Sequence, residues 1–484
     1  MYQAIVFGTA TILCVLIVLL FRKLDDKKSN LILKGLTIAF CAVGIGRFFL
    51  SDGFLLVING AWEYVMEGNE RVPHYFDNPD IWHSILRWGY YTSYVVFPMA
   101  VFYKSRFFRN VASYFSLLFV ILSAIFFNDY MEYFLSPIGK GFHVIAEFRY
   151  FYFILELVLG LMVPVLMQVK YKHYLNVKDW KEVLLFVLGL IPLLVIMAPS
   201  YIPQSFMGYG IHAPEWFGTF HLGWIGVTVA VTVVLYYVFR FRSHHDRYML
   251  VMFLTLLLFF HYFSLYLTGV TIKRLPFHLC NLAGYLFFVA MVFKIDSMIQ
   301  FCCIVNLMGT IVAFLGPDFD IGYFSFGNVH FCMQHSLVLM IPALVLGLRI
   351  TPRLSPKSLK YAAIYYSAYF LFVFVFGTII NGFSDVTGER VNYFYIFDQE
   401  VAFSYAPFLA ATANTVIHFG RFMISPVIIA IVYFGFFLLC FLLYLLIRFL
   451  YKVEDDRLAL RLSGIELYEK TTHKTSRRPK HYVE

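Results

Sequence analysis

The sequence predicts an all-α polytopic membrane protein of about 13 transmembrane helices, N-terminus outside and C-terminus inside, in two six-helix parallel pseudo-repeats plus one extra helix. Three observations predict it. Apolar runs of about 20 residues, the length that spans a hydrocarbon core as a helix, recur along the chain. Loops rich in Lys and Arg alternate with loops that are acidic or nearly uncharged. Segments of the two halves also align in equivalent helices.

The 484 residues are 61% hydrophobic and 14% charged, against roughly 25% charged in a soluble protein. No polar stretch is long enough to fold a separate soluble domain of about 100 residues; the longest are residues 51 to 80, 382 to 421 and the tail after Tyr451. The net charge of +9 lies in short clusters beside apolar runs. That distribution marks topology and predicts no nucleic-acid partner. Seven cysteines sit in or beside apolar runs without a CxxC pair, so neither a disulfide framework nor a zinc site is indicated. No cofactor is expected. The first apolar run, from Tyr2 to Leu20, has no preceding positive charge and no small-residue cleavage site, so it reads as a retained helix rather than a signal peptide.

In chain order the spans fall near residues 2 to 22, 31 to 51, 81 to 103, 108 to 127, 148 to 169 and 182 to 199. A second series lies near 219 to 239, 248 to 268, 276 to 293, 298 to 315, 331 to 348, 359 to 380 and 423 to 450. Positive loops come after the first, third, fifth, seventh and eleventh, with Arg22, Lys104, Lys170, Arg240 and Arg349 among their members. The intervening loops carry Asp52, Glu63, Asp318, Asp320, Asp385 and Asp398. By the positive-inside rule the odd loops face the cytoplasm; Lys273 and Arg274, on an outer loop, are the exception.

"VFPMAVFYK" (96 to 104) aligns with "LFFVAMVFK" (286 to 294), and "FILELVLGLMVPVL" (153 to 166) with "FCMQHSLVLMIPAL" (331 to 344). Two units in the same orientation form a parallel repeat about an axis along the membrane normal. In that alignment Cys280 falls opposite Tyr90, Gln334 opposite Glu156 and His335 opposite Leu157. The first half, residues 1 to 215, therefore lacks the reactive pair of the second and is expected to act as scaffold or substrate gate. Its intramembrane Glu156, Arg47 and Arg87 are expected to pair, because an isolated charge in lipid is costly.

The candidate chemistry gathers at the outer rim. The ninth span enters from outside near Pro276, which puts Cys280 roughly 6 Å below its end, and His335 lies at similar depth in the eleventh. Asp318 closes the tenth, and Asn381, Asn392, Tyr393 and Asp398 come after the twelfth. A thiolate is the nucleophile, and in apolar surroundings it needs a base or positive charge nearby. His335 supplies one, with Asp318 or Asn392 to orient its second nitrogen. The same residues also have bland roles: a small apolar cysteine, a disulfide from Cys280 to Cys332, and helix-end hydrogen bonds from His278 and Asn281. His278, His330 and His335 lack the tight spacing of a metal site.

At these residues, "LPFHLCNLA", "NLMGTIVAFLGPDF", "CMQHSLVLMIPAL" and "NYFYIF", with "WFGTFHLGWIG" at the start, resemble the ordered motifs of YwaF-type bacterial integral membrane proteins over residues 216 to 450. More remotely, they resemble a eukaryotic intramembrane cysteine acyltransferase of ether phospholipid synthesis. The resemblance implies Cys280 as nucleophile and His335 as base, with Asp318, Gln334, Asn281, His278, Asn392 and Tyr393 in support. The extra first half is a departure from both.

The expected activity is therefore enzymatic: a cysteine-dependent lipid or lipoprotein acyltransferase of the plasma membrane, with its site facing the extracytoplasmic side. Acyl-CoA does not reach such a site, so a membrane phospholipid is the expected donor. A lysolipid, a glycolipid or the N-terminal amine of a lipoprotein is the expected acceptor. Residues 216 to 450 would be the catalytic half, and residues 451 to 484 a cytoplasmic tail. A transporter or flippase of a lipid or small molecule, and a non-catalytic envelope-assembly partner, remain open alternatives.

Overall fold

The computed structural model describes residues 2–50, 63–67, 70–74, 81–126, 146–172, 178–198, 207, 210–263, 272, 275–387, 390–397 and 415–475. Its long helices are α1 (Tyr2–Phe21), α2 (Asp26–Leu50), α3 (Ile81–Phe102), α4 (Arg106–Ile125), α5 (Ala146–Tyr171) and α6 (Trp180–Ile196). Next come α7 (Thr219–Phe239), α8 (His244–Phe263), α9 (Leu279–Val292), α10 (Asp296–Leu315), α11 (Phe326–Gly347), α12 (Pro356–Gly382) and α13 (Pro426–Thr475). Each expected span overlaps one of these helices. Among the described residues nine helices are long and apolar enough to cross a membrane, which makes the protein a multi-pass membrane protein.

Four short strands depart from a purely helical expectation. β1 (Glu63–Glu67) pairs antiparallel with β2 (Glu70–His74), and β3 (Ile417–Phe419) with β4 (Phe422–Ile424). Both hairpins lie in inter-helix stretches too polar or too short to span. The β3–β4 turn places Gly420 at φ +60°, a backbone region that costs glycine nothing.

By their contacts the residues fall into two compact units, Met1–Pro214 with Leu256–Arg274 and Phe319–Met333, and Glu215–Thr255 with Leu275–Asp318 and Gln334–Glu484. In the first unit, α2, α3 and α5 pack around aromatic rings. The Tyr94 ring sits 4.9 Å from Phe40, 5.8 Å from Tyr91 and 5.4 Å from Phe260. Its hydroxyl donates to Glu156, which is fully buried. One polar partner of Glu156 is a phenol from α3; the side chains of Arg47, Arg87 and Tyr90 lie outside the described residues, as do Lys273, Arg274 and Asp398.

Helix ends obey the backbone's need to satisfy its last carbonyls. Past α9, Lys294 N–H donates to Met291 O and Ile295 N–H to Ala290 O; past α11, Arg349 N–H donates to Leu346 O and Ile350 N–H to Val345 O. These are paired 5→2 and 6→1 closures, which normally use glycine at the left-handed position. Here that position holds cations: Lys294 at φ 54° and Arg349 at φ 55°, with Lys104 at 52° and Lys172 at 44° past α3 and α5. The left-handed backbone costs about 1 kcal/mol. A positive charge at the negative pole of the helix returns part of it.

The two halves share further marks. A π-helical turn interrupts α4 at Val111–Ser116 and α10 at Cys302–Asn306. Pro164 lies within α5 and Pro342 within α11, at aligned positions, and left-handed Lys104 aligns with Lys294.

Several helix bounds differ from the sequence expectation, those of α9, α11 and α13 among them. α9 begins at Leu279 rather than near Pro276, because His278 is extended (φ −68°, ψ 142°). It then has 14 residues, about 21 Å. α11 begins at Phe326, five residues before the apolar run, its first turn carrying Asn328, whose amide bonds Asp320 O and Gly322 O at 2.9 and 2.8 Å. α13 continues from the membrane span to Thr475, through most of the expected tail.

Candidate active site

The later start of α9 moves Cys280 into that helix's first turn. Its first intrahelical bond runs from Leu282 N–H to His278 O, so the amides before it point out of the helix end. The backbone N–H groups of Cys280 and Asn281 face the sulfur. An arrangement of this kind directs the positive pole of the helix at the thiol and offsets part of the cost that burial imposes on a thiolate there. The thiol itself donates to Asn281 Oδ1 at 3.5 Å.

Three consecutive residues of α11 meet three different helices. An α-helix turns about 100° per residue, so neighbours on the chain face different ways. Gln334 Nε2 donates to Asn281 Oδ1 of α9 at 2.8 Å. The His335 ring sits edge-on to Phe314 of α10 at 6.3 Å. Ser336 Oγ accepts from Trp224 Nε1 of α7 at 2.8 Å and lies 2.7 Å from Thr228 Oγ1. Gln334, His335 and Ser336 are all buried. α11 is thereby fixed in rotation by polar contacts on two sides and an aromatic one on the third.

The structure brings Cys280, Asn281 and Gln334 into one hydrogen-bonded group, with His335 one residue along α11. The thiol's hydrogen bond goes to Asn281 and not to His335. His278 caps α9 without a side-chain hydrogen bond, its ring against Tyr393 at 5.5 Å and Tyr395 at 5.7 Å. Tyr393 is fully buried. Asn392 Oδ1 accepts from Phe397 N–H at 3.0 Å, which helps shape its turn. The segment is clamped by Asn381, whose amide bonds Val391 N–H and O at 2.8 and 2.9 Å. Asp318 is exposed beyond the end of α10. All seven cysteines, Cys280 and Cys332 included, are free thiols.

Two residues of the site were not singled out by sequence. Asn306, in the π turn of α10, is fully buried; its Nδ2 donates to Leu279 O at 3.4 Å, and its Oδ1 has no partner among the described residues. Tyr369 of α12 donates to Phe277 O at 2.8 Å and lies within electrostatic range of Cys280. An Asn in the middle of an apolar run was a usable signal, since a buried amide needs partners. Tyr369 stands among many aromatics and gave none.

The group holds a nucleophile, amide donors, an imidazole and no fixed charge, a set suited to acyl transfer in a dry site. No curated protein and no solved structure matches the chain. The segment that carries Cys280, Asn281, Gln334 and His335, residues 216 to 447, matches the TMEM164 family, a family of membrane proteins.

Proposed function

We propose that the second unit is an intramembrane cysteine acyltransferase that moves a fatty acyl chain from a phospholipid to a lipid or to the N-terminal amine of a lipoprotein. The observation that carries this is the Cys280 thiol in the first turn of α9, its acceptor Asn281 held by Gln334 and the imidazole of His335 next in the chain. The motif resemblance to YwaF-type proteins and to the ether-lipid acyltransferase points the same way.

In the first step Cys280 gives its proton to His335 as the sulfur attacks the ester carbonyl of the donor. Catalytic hydrogen bonds often form only with substrate in place. The tetrahedral oxyanion is held by the outward-pointing amides of α9 and collapses as the C–O bond breaks. The leaving lysophospholipid hydroxyl takes the proton from His335. The acyl-thioester then meets the acceptor, whose hydroxyl or amine loses a proton to His335 as it attacks. The C–S bond breaks and the thiolate recovers that proton. Exclusion of water keeps the thioester for transfer rather than hydrolysis.

The arrangement proposed for the whole chain is thirteen spans in two parallel six-helix repeats plus one, N-terminus outside, the site on the extracytoplasmic side of the plasma membrane. The shared π turns, prolines and left-handed cations support the repeat. The test is a hydroxylamine-labile acyl group on purified full-length protein given labelled phospholipid in mixed micelles. Wild type is expected to carry it and Cys280→Ala to lack it; label on the variant, or acyl exchange at the wild-type rate, overturns the mechanism. A second reading, a lipid flippase or transporter, is favoured by buried Glu156, and net transport by Cys280→Ala protein in vesicles would support it. A non-catalytic envelope-assembly partner is expected to show neither labelling nor transport.

A further inference from the structure

A second site lies in the same unit, at the far end of α11. From Gln334 to Arg349 is about 22 Å along the helix axis, so it lies at the other end of α11 from the Cys280 group. Here Arg349, Thr351, Arg353 and Arg448 line a cavity of about 380 Å³, with Leu354 and Ile447 among its apolar walls. The chain turn and α13 hold it together: Arg353 Nη2 donates to Arg448 O at 3.4 Å, and Arg448 Nη1 to Tyr444 Oη at 3.0 Å. Two observations make it more than a basic surface. Thr351, one of the lining residues, is 94% buried (6% exposed), and its hydroxyl has no hydrogen-bond partner among the described residues. A buried hydroxyl without a partner is costly unless something supplies one. Arg349, moreover, takes a left-handed backbone (φ 55°) where glycine is the easier choice; strain of this kind persists where a side chain has a use.

We propose that this cavity binds a phosphate-bearing anion, with three guanidinium groups to meet its oxygens and the Thr351 hydroxyl to donate to one. Guanidinium forks match phosphate geometry. Two sources share that chemistry, the headgroup of an anionic phospholipid and free phosphate. Position favours the lipid. Arg448 is two residues from the end of the apolar span Pro426–Leu450, and Leu346, Ile350, Leu354 and Ile447 add apolar lining to the cavity. Basic pockets at this end of a bundle are suited to anionic headgroups. The site is independent of the acyltransferase chemistry.

The test uses the full chain in neutral detergent, titrated separately with dihexanoyl phosphatidylglycerol, dihexanoyl phosphatidylcholine and inorganic phosphate, with the thermal midpoint read at each concentration. Phosphatidylglycerol is expected to raise the midpoint. Arg448→Gln, Arg349→Gly and Thr351→Val are expected to need about tenfold more of it, whereas Lys357→Gln, outside the cavity, is expected to behave as wild type. Arg349→Gly suits the left-handed backbone and Thr351→Val keeps the side-chain shape, so neither depends on a tolerated distortion. A shift with phosphate equal to that with the lipid, lost in the same variants, supports the site with a soluble ligand. No shift with either anion, an equal shift with phosphatidylcholine, or a shift unchanged in all three variants overturns it.

Discussion

Gln334 donates its amide to Asn281 Oδ1 at 2.8 Å, and the same oxygen accepts the Cys280 thiol at 3.5 Å. The bond ties α11 to α9 at one level although Gln334 lies in the third turn of its helix and Asn281 in the first of its own. In the first unit the aligned residue, Glu156 of α5, accepts from Tyr94 of α3. One helix pair is therefore joined by a polar bond in each half, and each has a thiol nearby: Cys41 donates to Tyr94 O at 3.6 Å in the first, and Cys280 donates to the bonded Asn281 Oδ1 itself in the second.

Gln334→Met keeps length and volume while removing the donor, and Asn281→Leu removes the acceptor. Each single variant is expected to lose about 1 kcal/mol or more, because the amide left behind is buried without its partner. The double variant is expected to lose less than their sum, a coupling of about 1 kcal/mol. Thermal unfolding of the four proteins in one detergent measures it. Additive losses would mean the two amides do not act together.

His335 stands beside this group with its ring against Phe314. If it takes the thiol proton, His335→Gln lowers the rate of acyl-thioester formation by roughly 100- to 10,000-fold. The thermal midpoint is expected to stay near wild type, since Gln fills much of the same space. Rapid-quench labelling with a phospholipid donor reads the rate, and a wild-type rate in the variant would remove His335 from the mechanism.

Much of this was legible in the sequence, for physical reasons. Long apolar runs leave a chain in lipid few options besides helices, and so each expected span overlaps a helix. Cys280, Asn281 and Gln334 stood out because polar groups are rare in such runs. The helix starts were not legible: Pro276 marks a break, but the chain stays extended through His278, and α11 begins outside its apolar run, where Ser325 Oγ accepts from Asn328 N–H. Nor was the rotation of α11, which the hydrogen bonds of Ser336 to Trp224 and Thr228 fix. Pairings between residues over 100 positions apart leave no local pattern.

Lys294 tests the cost of a cation in a left-handed helix end. Its exposed side chain touches little, so the backbone decides. Lys294→Gly relieves the φ 54° strain and gives up the charge at the helix terminus, two terms of similar size; little net change is expected. Lys294→Val gives up the charge and adds a β-branch where φ is positive. The valine protein is expected to be less stable than the glycine protein by about 1–2 kcal/mol, read as the difference in their thermal midpoints. Equal midpoints would mean the turn can relax out of the left-handed region.

Gly44 of α2 tests the core of the first unit. A Cβ at this position would run into the Tyr94 ring. That ring cannot swing aside: Phe40, Tyr91 and Phe260 pack around it, and its hydroxyl is committed to Glu156. Gly44→Ala should therefore cost about 1–3 kcal/mol, the usual penalty of overpacking, although alanine is the better helix former. Tyr94→Leu is expected to be destabilising alone, because it removes a buried hydrogen bond to the Glu156 carboxylate, but Gly44→Ala should then add little, the obstructing ring being gone. The two single variants and the double one, compared by thermal unfolding, separate overpacking from a general intolerance of α2. A full additional loss in the double variant would show that the clash is not with Tyr94.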